Sequence, residues 1–233
     1  MINKIMKKYD IFLFDADGTL YDFDKASAYA LEVLFNKHNL RYSDDIPQRF
    51  IEVGAGLWAS YEAGKISDKE LQKLRFSRLF DELGIQNDPY AFNGDYMYEL
   101  GKNAFLIDGA LEICQKITSN GKKIFIITNS FSKTCEARAK HSPIECYISG
   151  CFVSEAIGYK KPDREYFKHV FSGIPPVSKE QILVVGDSLS ADIAGGNVVG
   201  VDTCWLNLHG VENHTGIVPT YEICKLSEVE RFV

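Results

Sequence analysis

A short apolar run, IFLF at Ile11–Phe14, ends abruptly in two acidic residues, Asp15 and Asp17. Such a run is typical of a strand buried on both faces, and the two acids would then lie where the strand stops. Burying two carboxylates without a cation costs several kcal/mol, so the pair predicts a bound metal ion or a cationic partner. A polar turn closed by Asp17 and Gly18 explains this stretch equally well on its own.

The composition is that of an ordinary globular protein, with 45% hydrophobic and 25% charged residues among 233. The net charge of −6 and the lack of a long basic run argue against binding of a nucleic-acid polymer, but they allow a small anionic substrate. No signal peptide or membrane span is recognisable, and the six cysteines show no CxxC spacing. We therefore expect a cytoplasmic protein with free thiols and no membrane partner.

The residues after Leu20 follow helical spacing as far as about residue 105. Four amphipathic stretches are predicted there, the first capped by Asp24 and the third opened by a capping box, Ser67-x-x-Glu70. None of these stretches has the pattern of a strand. The sequence therefore predicts a helical domain, residues 21–105, inserted into a core domain formed by residues 1–20 and 106–233.

Strands and helices alternate through the second part of the core domain, which predicts an α/β fold with a Rossmann-like, doubly wound parallel sheet. The later strands are expected at Lys123–Ile127, Cys151–Ser154, Ile182–Gly186 and Asp202–Leu206. The helices between them include one capped by Asp163 and a small-residue helix at Ala191–Val199.

Ligands of such sheets bind at the carboxyl ends of the strands, near the point where the strand order reverses. Asp15 and Asp17 end one strand, Thr128 ends a second and Asp187 ends a third, and the loop that carries Lys161 is expected at the same edge. The carboxylates of Asp15 and Asp187 and the backbone carbonyl of Asp17 are hard oxygen ligands that suit Mg²⁺. A site without histidine or cysteine disfavours zinc.

These residue types suit phosphoryl transfer. Asp15 can attack phosphorus and form an aspartyl-phosphate, while Asp17 protonates the leaving alkoxide and later deprotonates the attacking water. The Thr128 hydroxyl, the Lys161 ammonium and backbone N–H groups near Asn129 can bind the transferring oxygens. The predicted substrate is accordingly a small-molecule phosphate ester.

Four segments together resemble the motifs of the haloacid dehalogenase superfamily: DADGTL from Asp15, IITN ending at Asn129, Lys161-Pro162, and GDS from Gly186 with Asp192. The resemblance implies a helical C1 cap, a catalytic set of Asp15, Asp17, Thr128 and Lys161, and a magnesium site formed by Asp15, Asp17 and Asp187. It places Gly18 and Asn129 among the substrate-binding residues and Asp192 in an outer layer that orients Lys161 or a metal-bound water. Lys160 is a rival for the lysine role. The second acid, Asp17, favours phosphoryl transfer over dehalogenation.

A narrower resemblance is to the bacterial pyrimidine nucleoside 5′-monophosphatases. It is carried by the segments FDADGTLYDFDKA, LWASYEAGKIS, ITNSFS and VDTCWLNLHG. It implies a nucleotide substrate, on whose base Trp58 and Tyr61 could stack, although the same two residues fit the core of a helical domain equally well. The alternatives are a sugar-phosphate phosphatase or phosphomutase of the same superfamily and a phospho-accepting signalling module. Either a monomer or a homodimer is compatible with the sequence.

Overall fold

The computed structural model describes residues 7–233, which form two compact units. The first unit comprises the chain up to Asp22 together with Leu106–Ser130 and Pro143–Val233, and the second comprises Phe23–Phe105 and Phe131–Ser142. The α-helices of the described residues are α1 (Phe23–Lys37), α2 (Ile46–Glu62), α3 (Asp68–Leu83), α4 (Pro89–Lys102), α5 (Ala110–Ser119), α6 (Ser132–His141), α7 (Ser154–Ile157), α8 (Arg164–Gly173) and α9 (Ala194–Val199).

A parallel sheet of six strands forms the centre of the first unit over the described residues. Its strands are β1 (Ile11–Phe14), β2 (Lys123–Thr128), β3 (Ile148–Val153), β4 (Ile182–Gly186), β5 (Asp202–Leu206) and β6 (Tyr221–Ile223), in the spatial order β3-β2-β1-β4-β5-β6. Every residue of β1 and β4 is buried, as expected for inner strands covered on both faces. The predicted α/β class with a doubly wound parallel sheet is confirmed.

The strand order reverses between β1 and β4, which is the place where a ligand site is expected in such a sheet. In register, Phe14 lies beside Ile126 of β2 and beside Val185 of β4. The residues that follow these strands therefore emerge side by side at one edge. This places Asp15 between the carboxyl end of β2, where Thr128 lies, and that of β4, which Asp187 follows.

The second unit is built from α1–α4 and α6 around an aromatic core that includes Phe35, Phe76 and Phe92. The predicted capping box at the start of α3 is present: the Ser67 hydroxyl accepts from the Glu70 N–H, and the Glu70 carboxylate accepts from the Ser67 N–H. Asp24 lies within the first turn of α1 instead of capping it.

Helix α6 belongs with the second unit because it packs closely on α4. The Thr134 hydroxyl donates to the Met97 carbonyl at 3.1 Å, and a β-carbon at Gly101 would collide with the Thr134 carbonyl oxygen. From sequence, residues 132–140 belong to the core domain. The compact units therefore differ from the predicted domains at this segment, which follows directly after the end of β2.

The other differences from the predicted elements are local. Strand β3 begins at Ile148, three residues before the predicted start. The sequence pattern missed this start because β3 lies at the edge of the sheet and has no continuous apolar run. Ala191–Val199 is divided into a π-helical turn, Leu189–Ile193, and α9. Asp163 lies at the N-cap of α8 without a side-chain capping bond. Strand β6 and the 3₁₀ helix Leu226–Phe232 were not predicted.

Among residues 7–233, no helix combines the length and the hydropathy that a membrane crossing requires.

Candidate active site

The ammonium group of Lys161 is the centre of the site. It donates to Asp15 Oδ1 at 2.5 Å, to Asp192 Oδ1 at 2.6 Å and to the backbone carbonyl of Ile127 at 2.9 Å. A lysine has three N–H donors, so all of them are used. The Lys161 side chain is only 2% exposed. This geometry brings Lys161, rather than the rival Lys160, to the predicted nucleophile.

Asp192 holds Lys161 from a fully buried position in the π-helical turn after β4. Its second carboxylate oxygen accepts from the Ser188 N–H at 3.1 Å, so each of its oxygens has a donor. Gly186, the last residue of β4, makes room for it, because a β-carbon there would overlap the Asp192 carboxyl group. The π-helical turn and this glycine together place the carboxylate behind Lys161.

Asp187 is held by two residues for which the sequence analysis assigned no site role. The Thr19 hydroxyl donates to Asp187 Oδ1 at 3.1 Å, and the indole N–H of Trp205 donates to the Asp187 carbonyl at 2.8 Å. Thr19 is fully buried and Trp205 is 3% exposed. Gly18 lies against the same carboxylate with φ of 83°, in the left-handed region that favours glycine. The close approach of the Gly18 backbone to Asp187 therefore requires both the glycine conformation and the absence of a β-carbon.

Thr128 and Asn129 follow each other at the end of β2, and both are buried. The Thr128 hydroxyl accepts from the Ser130 N–H at 3.0 Å. The Asn129 side chain binds the backbone of Lys161 on both sides: its amide nitrogen donates to the Lys161 carbonyl at 3.0 Å, and its oxygen accepts from the Lys161 N–H at 2.8 Å. The Asn129 side chain is thus engaged with the backbone of Lys161, and the predicted role of Asn129 in substrate binding stays a prediction.

The positions of the remaining predicted site residues, Asp17, Trp58 and Tyr61, do not by themselves indicate a role. Asp17 is partly buried in the turn after β1, and its backbone forms an isolated bridge with Tyr21. Tyr61 is 3% exposed and belongs to the core of the second unit, while Trp58 is partly buried and packs edge-on against it with ring centroids 5.8 Å apart. This packing matches the alternative that both are core residues. A base-stacking role for them stays a prediction.

Charge is unevenly distributed in the site. Burial raises the pKa of Asp15 well above its usual range, the Lys161 charge opposes this shift, and the charges of Asp192 and Asp187 add to it. Burial alone would lower the pKa of Lys161, but the charges of Asp15 and Asp192 outweigh that effect and raise it. Lys161 therefore keeps its proton and its positive charge. The carboxyl groups around it outnumber this one positive charge and repel one another.

The Asp187 side chain reaches solvent, yet protein atoms crowd its carboxyl group. Burial is the main cause that raises the pKa of Asp187 to about 7, and the negative charge of Asp192 is the second. Oxygens of Asp15, Asp187 and Asp192 all lie within 4.8 Å of one another. When all three are ionised, the single positive charge of Lys161 leaves two negative charges unbalanced. The site therefore fits a divalent cation bound through oxygen atoms.

Asp15 and Asp187 are the carboxylates with capacity to bind such a cation. Asp192 already accepts from Lys161 and Ser188 with its two oxygens, which suits a supporting role. Asp15 contacts Lys161 through Oδ1, and the Asp187 side chain faces solvent, so we take these two carboxylates as the candidate ligands.

Comparisons with known proteins agree with this geometry. A family model described as haloacid dehalogenase-like hydrolase matches residues 9–200. The HAD-hydrolase YfnB of Bacillus subtilis is 39% identical over 224 residues, covering 96% of this chain and 95% of YfnB. A crystal structure of YfnB bound to magnesium superposes with a TM-score of 0.88 over 96% of this chain and 97% of that chain.

Two further relatives are named for an activity. The pyrimidine 5′-nucleotidase PynA of Streptococcus pneumoniae is 34% identical and covers 92% of this chain and 91% of its own length. The pyrimidine 5′-nucleotidase YjjG of Escherichia coli is 31% identical and covers 97% of this chain and 98% of its own length. These similarities extend over both compact units.

Proposed function

Because this chain belongs to the haloacid dehalogenase-like hydrolases, as its four motifs predicted, we propose that it is a magnesium-dependent phosphatase that acts on nucleoside 5′-monophosphates and prefers pyrimidine nucleotides. The observation that carries the proposal is the buried contact between Asp15 and Lys161 at the switch point of the sheet, with Asp187 beside it. The nucleotide preference is supported by the two pyrimidine 5′-nucleotidases that align with nearly the whole chain. Membership of a hydrolase family gives no support to the signalling alternative.

In the proposed reaction, a carboxylate oxygen of Asp15 attacks phosphorus and the bond to the ester oxygen breaks. Asp17 gives its proton to the departing nucleoside oxygen. Asp17 then takes a proton from water as that water attacks the phosphorus of the aspartyl-phosphate. The bond to Asp15 breaks, which releases inorganic phosphate and restores both acids.

The other residues of the site bind and orient. Lys161 balances part of the negative charge beside Asp15, and the Thr128 hydroxyl lies at the strand end where a phosphoryl oxygen would bind. Asp15, Asp187 and the Asp17 carbonyl would hold Mg²⁺, which when bound supplies positive charge that reduces repulsion between carboxylate and phosphate. Thr19 and Trp205 keep Asp187 in place for this role.

The test is release of inorganic phosphate from UMP, dUMP, dTMP, AMP and glucose 6-phosphate, with Mg²⁺ and with EDTA. We expect the pyrimidine nucleotides to give the highest kcat/KM and EDTA to abolish turnover. The Asp15→Asn variant should be inactive, and Asp17→Asn should be slower by roughly 10²- to 10⁴-fold, the usual contribution of a general acid and base. The exposed Asp44 in the second unit supplies a matched control, since Asp44→Asn should keep wild-type rates.

Each part of the proposal has its own contradicting result. Turnover that survives in Asp15→Asn would remove the nucleophile, and activity unaffected by EDTA would remove the metal. A preference for glucose 6-phosphate over every nucleotide would retain a phosphatase but reject the nucleotidase assignment.

A further inference from the structure

Lys161 is fixed at both ends. Its ammonium group has an acceptor for every proton, in Asp15, Asp192 and the Ile127 carbonyl. Its backbone N–H and carbonyl are both bound by the Asn129 side chain, at 2.8 and 3.0 Å. The position of the ammonium beside Asp15 therefore depends on a chain of buried contacts that begins at Asn129.

The Asn129 contact requires a carboxamide. The group must accept from one backbone atom and donate to another atom of the same residue, and the planar carboxamide of asparagine carries both functions side by side. Asn129 is 8% exposed, and Lys161 is 2% exposed. A backbone N–H or carbonyl that loses its partner in such a place gains no full replacement from water.

We propose that Asn129 is a positioning residue for the reaction: its side chain fixes the backbone of Lys161 and thereby the ammonium beside Asp15, without contacting the substrate. This inference rests on the proposed function for its kinetic part. The sequence-based prediction assigned backbone N–H groups near Asn129 to substrate binding, and the proposal adds a separate role for the Asn129 side chain. The sequence could not predict this role, because Asn129 and Lys161 are 32 positions apart and no pattern in the sequence links them.

The chain contains a matched control for this arrangement. Asn207 also binds both backbone groups of a single residue: its amide nitrogen donates to the Val211 carbonyl at 2.9 Å, and its oxygen accepts from the Val211 N–H at 2.9 Å. Asn207 is 4% exposed, similar to Asn129. Val211 carries no group that the proposed reaction uses. Replacing Asn207 therefore removes the same kind of contact, together with its hydrogen bond to the Glu222 carboxylate, without affecting Lys161.

The first measurement is independent of catalysis. Amide hydrogen exchange should show that the Lys161 N–H loses protection in Asn129→Ala and keeps it in Asn207→Ala. We expect Asn129→Ala to lower the melting temperature more than Asn207→Ala does, because Val211 is 56% exposed and water can replace the hydrogen bonds that its backbone loses. If the Lys161 amide stays as protected as in the wild type, the side chain of Asn129 does not hold it and the proposal is wrong.

The second measurement separates positioning from substrate contact. For Asn129→Ala we expect kcat to fall by about 10- to 100-fold, the cost of misplacing a catalytic group by about 1 Å, with KM within about threefold of wild type. Asn207→Ala should keep both constants within about twofold. The Asn129→Ser variant gives the same comparison if Asn129→Ala does not fold.

Two kinetic results overturn the proposal. An Asn129 variant with wild-type kcat and a KM raised tenfold or more would mark a direct substrate ligand. An Asn129 variant with both constants unchanged would mark a purely structural residue. Failure of the proposed function is distinguishable from either, because the wild-type protein would then release no phosphate while the exchange of the Lys161 amide would still report the contact with Asn129.

Discussion

Gly18 offers the sharpest test of how closely the site is packed. It has φ of 83°, and a β-carbon there would lie 2.6 Å from Asp187 Oδ2 and 2.8 Å from Asp187 Cγ. Ordinary contact distances begin at 3.4 Å, so a Gly18→Ala substitution forces the two groups apart by about 0.8 Å. The hydrogen bonds of Asp187 to Thr19 and Trp205 oppose that movement.

Two costs follow from this substitution. An alanine in the left-handed region costs about 1–2 kcal/mol of stability. Displacing the Asp187 carboxylate, a proposed metal ligand, by nearly 1 Å should lower kcat/KM by about 10- to 100-fold. We also expect the Mg²⁺ concentration for half-maximal activity to rise, because Asp187 is a proposed ligand. Measuring phosphate release from UMP at increasing Mg²⁺ concentrations gives both kcat/KM and the Mg²⁺ concentration for half-maximal activity.

Gly121 separates the two costs. It has φ of 72°, and a β-carbon there would meet nothing within 4 Å. Gly121→Ala should therefore lose a similar amount of stability and keep its activity and its Mg²⁺ requirement. If Gly18→Ala matches Gly121→Ala in kcat/KM to within about threefold, the close approach of Gly18 to Asp187 does not matter for catalysis and our reasoning is refuted.

Three further predictions come from the same contacts. Thr19→Val removes the hydroxyl that holds Asp187, and it should raise the half-saturating Mg²⁺ concentration by about tenfold, the lower part of the range for supporting residues of metal sites. Asp192→Asn has one acceptor oxygen for two donors, Lys161 and the Ser188 N–H, so we expect it to cost about 2–4 kcal/mol of unfolding free energy and about 5–15 °C of melting temperature. The raised pKa of Asp187 means that the metal-free folded state binds its proton more tightly than the unfolded chain. Stability without metal should therefore fall as pH rises from about 4 to about 7, and the rise in melting temperature caused by Mg²⁺ should be larger at about pH 8 than at about pH 6.

The first two of these predictions have control variants. Thr203 is as buried as Thr19 but lies in β5 and bonds to Thr220, so Thr203→Val should leave the Mg²⁺ requirement unchanged. Asp202 accepts from Tyr9 at 2.6 Å with its side chain 28% exposed, so Asp202→Asn should cost less stability than Asp192→Asn. Equal costs for the two aspartates, or a Mg²⁺ effect on melting that does not change with pH, would contradict the account of the buried charges.

The sequence predicted the inner part of the fold well because burial leaves a strong pattern. β1 and β4 are short apolar runs, and each is followed by an acidic residue that has no place in a core. The rule that ligands bind at the carboxyl ends of parallel strands was then enough to bring Asp15, Thr128 and Asp187 together. Lys161 was predicted through its motif, and the structure brings it to Asp15.

The contacts that hold the site were not predictable in this way. Thr19 and Trp205 bond to Asp187 across 168 and 18 positions, and neither contact leaves a periodic pattern in the sequence. The role of Asn129 depends on which atoms of Lys161 it meets, and only the folded backbone decides that. β6 was missed because three residues at a sheet edge carry too little apolar periodicity to be recognised.

The arrangement of charges explains why the supporting residues matter. Asp15, Asp187 and Asp192 surround one ammonium group, so the site without metal repels a phosphate dianion. Adding two positive charges brings this group of side chains to neutrality, which is the condition under which Asp15 can be both ionised and close to phosphate. That balance depends on distance, because the interaction between two charges weakens as they move apart and is screened little by solvent in a buried place. In the proposed reaction, Asn129 and Thr19 therefore act by fixing where Lys161 and Asp187 hold their charges.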